Sequence, residues 1–173
     1  MLAHARKVRG VAVLRGVAEA LPFRDRSLDL VFFHLSLHHT RWKVALAEAV
    51  RVRRRGGRIE VWTFGEAHHA TSFLGAMFPE VAALDRLRFP APDRIAATLE
   101  ASGLAVSTET VVEPVERSVA FWEEGIRGRF VSTLQALDDA RIEAALDAFR
   151  RRHPHPDEVI ASTLTFERLV ARD

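Results

Sequence analysis

The side chains best equipped for chemistry in this chain of 173 residues are two adjacent histidine pairs, His38-His39 and His68-His69. Histidine exchanges its proton near neutral pH and is the commonest general acid or base. His38, His39 and His68 are therefore the candidate catalytic groups, as bases for a nucleophile that arrives protonated. Neighbouring side chains point in different directions, whereas a two-histidine metal site prefers the helical i, i+4 spacing. No metal site is expected. The chain has no cysteine, which excludes thiolate nucleophiles, thiolate metal sites and disulfides. Each pair follows an apolar segment, residues 28–35 and residues 58–64. Ligands of open α/β sheets bind outside the carboxyl ends of strands, so both pairs would stand on the ligand side. His39 has a second reading, in which it and Thr40 begin the next helix with Thr40 as its N-cap.

The elements that must position these residues are legible as periodicity. Residues 28–35 are almost continuously apolar with one early Asp29, the pattern of a strand buried on both faces. Trp42, Ala45, Leu46, Ala49 and Val52 recur at three and four, which predicts an amphipathic helix over 41–54. Arg53, Arg54 and Arg55 complement its dipole, and Gly56-Gly57 would end it. Residues 58–64 are the next strand. Strand, helix and strand in that order need a parallel sheet and a right-handed crossover. Upstream, residues 1–8 read as a helix fragment and 10–15 as a short strand, which is expected to pair with the strand at 28–35 or with a second copy. Downstream, 70–89 read as helical then irregular. A helix over 94–102 follows Pro90-Ala91-Pro92-Asp93 and ends at Gly103. A strand follows at 104–112, then two or three helices over 117–152. Residues 159–170 read as a last strand, antiparallel to 104–112.

The bulk numbers set outer limits. Apolar residues at 48% and charged residues at 28% are ordinary for one soluble domain with a real core. No apolar run approaches the roughly 18 residues of a membrane span, and the amino terminus is too short and polar for a signal peptide. A cytoplasmic setting suits the lack of cysteine. The net charge is +2 and the pI about 9.9, with arginine supplying nearly all the base. Only Arg51–Arg58 is dense, so nucleic-acid binding is not expected, although a phosphate role for that cluster stays open.

Three blocks carry a resemblance. They are Ala18-Glu19-Ala20-Leu21-Pro22-Phe23, then Ser27-Leu28-Asp29-Leu30-Val31 leading to His38-His39, then Arg51-Val52-Arg53-Arg54-Arg55-Gly56-Gly57 before an apolar strand. In this order and spacing they resemble the second half of class I S-adenosylmethionine-dependent methyltransferases, in the branch acting mostly on small molecules. The resemblance implies an α/β fold: a Rossmann-like methyltransferase sheet, mostly parallel with an antiparallel last strand, in strand order 3-2-1-4-5-7-6. It implies a single domain over 1–173 with a helical insertion at about 117–152 over the substrate pocket. It assigns S-adenosylmethionine as cofactor, held by Val17, Ala18, Glu19, Phe33, His34, Leu35 and His39, and a small-molecule methyl acceptor as partner. Val17 stands where the family can carry an Asp that accepts from the adenine amino group. Arg55 stands where it usually carries Pro.

The chain contains no Gly-x-Gly, so the loop that lets backbone approach the cofactor, and the first βαβ unit with it, are expected to be missing. Activity would then be impaired or lost, and a bare sheet edge could pair two copies into a homodimer. The alternative is a non-catalytic remnant that binds a small molecule or a partner.

Overall fold

The structure is a computed structural model that describes residues 12–173. One four-stranded sheet organises it, with strands β1 (Leu28–His34), β2 (Arg53–Phe64), β3 (Ala105–Ser118) and β4 (Val159–Arg172) in the order β1-β2-β4-β3. β1 and β2 are parallel, while β2–β4 and β3–β4 are antiparallel. The three apolar segments expected as strands thus share one layer. Their order agrees with the 4-5-7-6 part of the sheet that the resemblance implied. Within the described residues the parallel ladder is the β1–β2 pair, and the antiparallel last strand is β4.

Helix α1 (Trp42–Val52) is the crossover between β1 and β2. Its stripe of Ala45, Leu46, Ala49 and Val52 is fully buried against Val31, Phe33, Ile59 and Val61 of the sheet. Four further helices precede or follow the sheet's middle: α2 (Glu66–Thr71), α3 (Phe73–Met77), α4 (Pro79–Arg88) and α5 (Pro92–Glu100). Ile95 and Leu99 of α5 complete the core on the same sheet face. Helices α6 (Val119–Arg127) and α7 (Asp139–Arg152), with a 3-10 turn at Ser132–Ala136 between them, form a second core with α4, around Trp122, Ile126, Leu134 and Leu146.

Several expectations are corrected. α1 ends at Val52, and Arg53 onward is already strand. The register jumps from Leu28↔Arg53 to Leu30↔Arg58, so Arg54–Gly57 bulge out of the ladder. The two glycines make this bulge rather than a helix end. Gly56 sits at φ +74°, and a Cβ on Gly57 would stand 2.8 Å from the Asp29 carbonyl oxygen and 3.1 Å from that of Leu28. β1 is buried on one face only: Val31 and Phe33 are covered, whereas Leu30 is 39% and Phe32 53% exposed. Thr40 does not cap α1. Its hydroxyl donates to the Leu37 carbonyl, and Glu19 Oε1 takes the Arg41 N–H at the helix start, at 2.7 Å. The expected strand at 10–15 is not found in its described part, since residues 12–15 join no ladder and make no pair with β1. Residues 10–11 and the expected helix at 1–8 lie outside the described residues.

β3 runs six residues past the expected 104–112, to Ser118. Pro114 is tolerated because β3 is the outer strand of its ladder and needs no donor on its free side. β2 stops at Phe64, opposite Phe166. Beyond that point Val112–Ser118 and Val159–Thr165 continue as a two-stranded ribbon past the carboxyl ends of β1 and β2.

Candidate active-site cleft

A cleft of about 600 Å³ opens where the carboxyl ends of β1 and β2 meet this ribbon and the helical layer. Its walls include Leu35, His38, His39, Phe64, His68 and Phe89 at one end. The two histidine pairs arrive there from different elements. His38 and His39 lie on a 3-10 turn, Leu37–His39, anchored by Leu37, which is fully buried. His68 and His69 lie on α2, whose first residues follow β2 through Gly65.

Phe89, the residue that ends α4, brings the pairs together. The His38 ring stacks on it with centroids 3.9 Å apart, His69 meets it edge-on at 5.7 Å, and Phe64 lies 5.7 Å away. His68 stacks on Phe64 at 3.6 Å, the two rings nearly parallel. No sequence pattern singles out Phe89; the signal, a lone aromatic after a helix of mixed polarity, is too common to use.

Burial sets the protonation of these rings. His38 is pushed down to about 4, first by desolvation and then by the neighbouring His39 and Arg88. Its Nδ1 is buried with no partner among the described residues. His68 is also pushed down to about 4, mainly by burial and then by His69, and its Nδ1 accepts from the Thr165 N–H at 3.4 Å. That bond makes Nδ1 the acceptor, so His68 carries its proton on Nε2. His69 is buried and lowered too, but it does not line the cleft. His39 is exposed, with Nδ1 3.4 Å from Nη2 of Arg88. Arg88 also donates to the hydroxyls of Thr133 and Ser132, tying α4 to the 3-10 turn of the helical layer. Among the described residues no group of three or more His, Asp or Glu is arranged to hold a metal ion.

The cofactor residues assigned from the resemblance separate. Leu35, at φ +45°, and His39 line the cleft. Phe33 points into the core, and His34 lies on the other, exposed face among Phe32, Trp62 and Phe166. Val17, Ala18 and Glu19 form a tight turn, closed by the Ala20 N–H donating to the Val17 carbonyl at 3.1 Å, and they do not line the cleft. Glu19's carboxylate is held below its usual range by the Arg41 N–H it accepts. The fit to S-adenosylmethionine is therefore partial. Of the residues assigned to it, Leu35 and His39 line the cleft, and the acidic group of the loop is already engaged.

Four of the five arginines of the cluster are spent inside the chain. Arg51 reaches Glu48, Asp25 and the carbonyls of Leu21 and Phe23, Arg53 reaches Asp173, Arg54 pairs with Asp29, and Arg58 with Glu60. They pin the 20–26 loop and the β2 bulge, which accounts for these four without a phosphate.

Comparison with known proteins agrees with this geometry. Residues 1–61 match the family model described as a methyltransferase domain. Over 65 residues the chain is 42% identical to the malonyl-[acyl-carrier protein] O-methyltransferase of Methylococcus capsulatus, covering 37% of this chain and 24% of that protein. Over 62 residues it is 39% identical to the uncharacterized protein YafE of Escherichia coli, covering 34% and 29%. The chain thus spans about a quarter of the length of the curated relatives it matches. Among solved structures, YcgJ of Bacillus subtilis superposes with a TM-score of 0.60 at 20% identity, over 99% of this chain and 75% of that one. A protein of Anabaena variabilis, provisionally assigned as a methyltransferase of an antibiotic biosynthesis pathway, gives 0.64 at 20% identity, over 92% and 72%. Over residues 1–61 the chain is thus similar to the methyltransferase domain family, and the described residues share the fold of these solved structures.

Proposed function

We propose that the chain serves methyl transfer from S-adenosylmethionine to a small-molecule acceptor, in the cytoplasm, with the cleft as the acceptor's site. The observation that carries this reading is the cleft itself. It lies outside the carboxyl ends of the parallel pair β1–β2, where such sheets place ligands, and its 600 Å³ suits a small molecule. When bound, the cofactor supplies a methyl group that is already electrophilic.

What remains for the chain is alignment and exclusion of water. Phe64, Phe89 and Trp122 give the cleft apolar walls. His38, neutral at pH 7, lines the cleft and offers a ring nitrogen to an acceptor's O–H or N–H. A group titrating at about 4 is a weak proton acceptor at neutral pH, so His38 orients the nucleophile more than it strips it. His68 has its Nδ1 engaged and serves as packing behind Phe64.

The test is titration calorimetry of the chain with S-adenosylhomocysteine, followed by transfer of a labelled methyl group to a panel of small acids, phenols and amines. Saturable heat and labelled product are expected. No heat and no rise in melting temperature at millimolar S-adenosylhomocysteine would overturn the proposal.

A further inference from the structure

The cleft has a second end. From His38, beside β1, to β3 on the far side of the sheet there are three strand spacings of about 4.8 Å, or roughly 14 Å across the sheet, and Arg117 lies six residues, about 20 Å, further along the ribbon than Val111, which is level with the end of β2. At that end the floor is the ribbon, with Val115 and Arg117 alternating onto the cleft side of β3 and Ser162 facing them from β4. Between the ends the walls are aromatic, formed by Phe73, Phe121, Trp122 and Phe130.

Histidines aside, the charged side chains lining the cleft are Asp85, Arg117 and Arg129. Two are already satisfied. Asp85 accepts the Thr133 hydroxyl. Arg129 donates to the carbonyls of Leu134 and Leu137 and pairs with Asp139. Arg117 differs. Its guanidinium lies over the Phe121 ring, 5.4 Å from the centroid, and gives one hydrogen bond, from Nη1 to the Glu116 carbonyl at 2.8 Å. Within the described residues it has no carboxylate partner. A guanidinium has five N–H donors in a planar fork, and stacking on a ring leaves the edge of that fork free for a carboxylate. Behind the same wall lies a buried donor: the indole Nε1 of Trp122, a residue only 7% exposed, has no partner among the described residues.

We propose that the cleft takes an elongated acceptor with an aromatic or apolar body, its terminal carboxylate on Arg117 and its reacting group at His38. This rests on the reading of the cleft as the acceptor site and names the substrate class. The opposite preference, for an amine held by Asp85 among the same aromatic rings, is disfavoured because that carboxylate already takes a hydroxyl proton.

The test uses the chain labelled with ¹⁵N and no cofactor. 6-Phenylhexanoate is titrated, with its amide and 6-phenylhexylamine as controls. Binding is followed at the Trp122 indole resonance, identified among the three tryptophans with a Trp122→Phe sample. The acid should bind about tenfold more tightly than the amide, the value of a charge-assisted bidentate pair. Arg117→Gln should bring the acid down to the amide's level and leave the amide unchanged. Equal affinities, a preference for the amine, no binding of any probe, or full acid selectivity in Arg117→Gln overturns the proposal. Acid selectivity without S-adenosylhomocysteine binding would overturn methyl transfer alone; cofactor binding without acid selectivity would overturn this inference alone.

Discussion

Acidification reads the packing beneath the cleft, and His68 is where the effect concentrates. It is 8% exposed, stacked on Phe64, and its Nδ1 accepts a backbone N–H. Burial among the aromatic rings, and then the neighbouring His69, lower its pKa from 6.5 to about 4. The folded state thus refuses a proton that the unfolded chain binds. Stability therefore rises with pH across the window from about 4 to 6.5; it is present in full above the window and lost as pH falls through it.

At 1.36 kcal/mol per pKa unit the whole drop is worth about 3 kcal/mol, and about 2.5 kcal/mol of it is gone by pH 4.5. His38 acts in the same direction from a less buried position. Glu60, held near 2 by Arg168 with help from Trp62 and Arg58, keeps its charge through most of this range. The assay is urea denaturation at about pH 7.5, 6.5, 5.5 and 4.5, for the natural chain and for His68→Phe, which keeps the stack and removes the titrating group. The natural chain should lose about 2.5 kcal/mol or more between the extremes, and His68→Phe about 2 kcal/mol less than that. Parallel stability curves for the two proteins would refute the assignment.

Two further outcomes follow from contacts already described. Gly57→Ala places a methyl group 2.8–3.1 Å from three backbone carbonyl oxygens, those of Asp29, Arg54 and Leu28. None can swing away, so the change should cost about 2 kcal/mol in urea denaturation; an unchanged midpoint would mean that the bulge is not closed against β1. Arg88→Met removes the donors to Thr133 and Ser132. It should cost about 1.5 kcal/mol and speed proteolysis within 128–138, and equal cleavage rates would show that the turn is held by other contacts.

The parts of the fold that could be read in advance were those in which one periodicity dominates. α1 shows its stripe at three and four, β1 and β2 their apolar runs, and β4 its β-branched residues. Where two signals compete, the sequence misleads. Arg53-Arg54-Arg55-Gly56-Gly57 has the charge and glycine of a helix end, yet Gly57 serves the close approach of β1. The expected strand stopped at Val112, short of Pro114, yet an outer strand tolerates that proline. The one-sided burial of β1 was not visible, because an apolar run says nothing about which neighbour covers it. In the site, the placement of both histidine pairs beyond strand ends was legible from order alone. Their meeting around Phe89 was not, and neither was Glu19 as cap of α1, a contact across 22 positions.

The direction of β4 explains why there is a cleft at all. Had the strand beside β2 run parallel to it, the carboxyl ends would form one level edge. Because β4 runs the other way, its first seven residues and the last seven of β3 overhang that edge by about 23 Å of ribbon, at 3.3 Å per residue. The helical layer is the connection between these two strands, and it leaves and rejoins the ribbon at one point. Ser118 pairs with Val159, and the Val119 N–H donates to the Glu158 carbonyl at 2.9 Å. Val115 and Ile160 then pack the ribbon into the second core. The insertion is thereby fixed above the strand ends, and the far wall of the cleft, Arg117 included, is built on the ribbon rather than on the parallel strands that lead to His38. The His38 end and the far end of the cleft thus border separate cores, and Arg88, which reaches from α4 to both the 3-10 turn of the insertion and His39, is a direct polar tie between them.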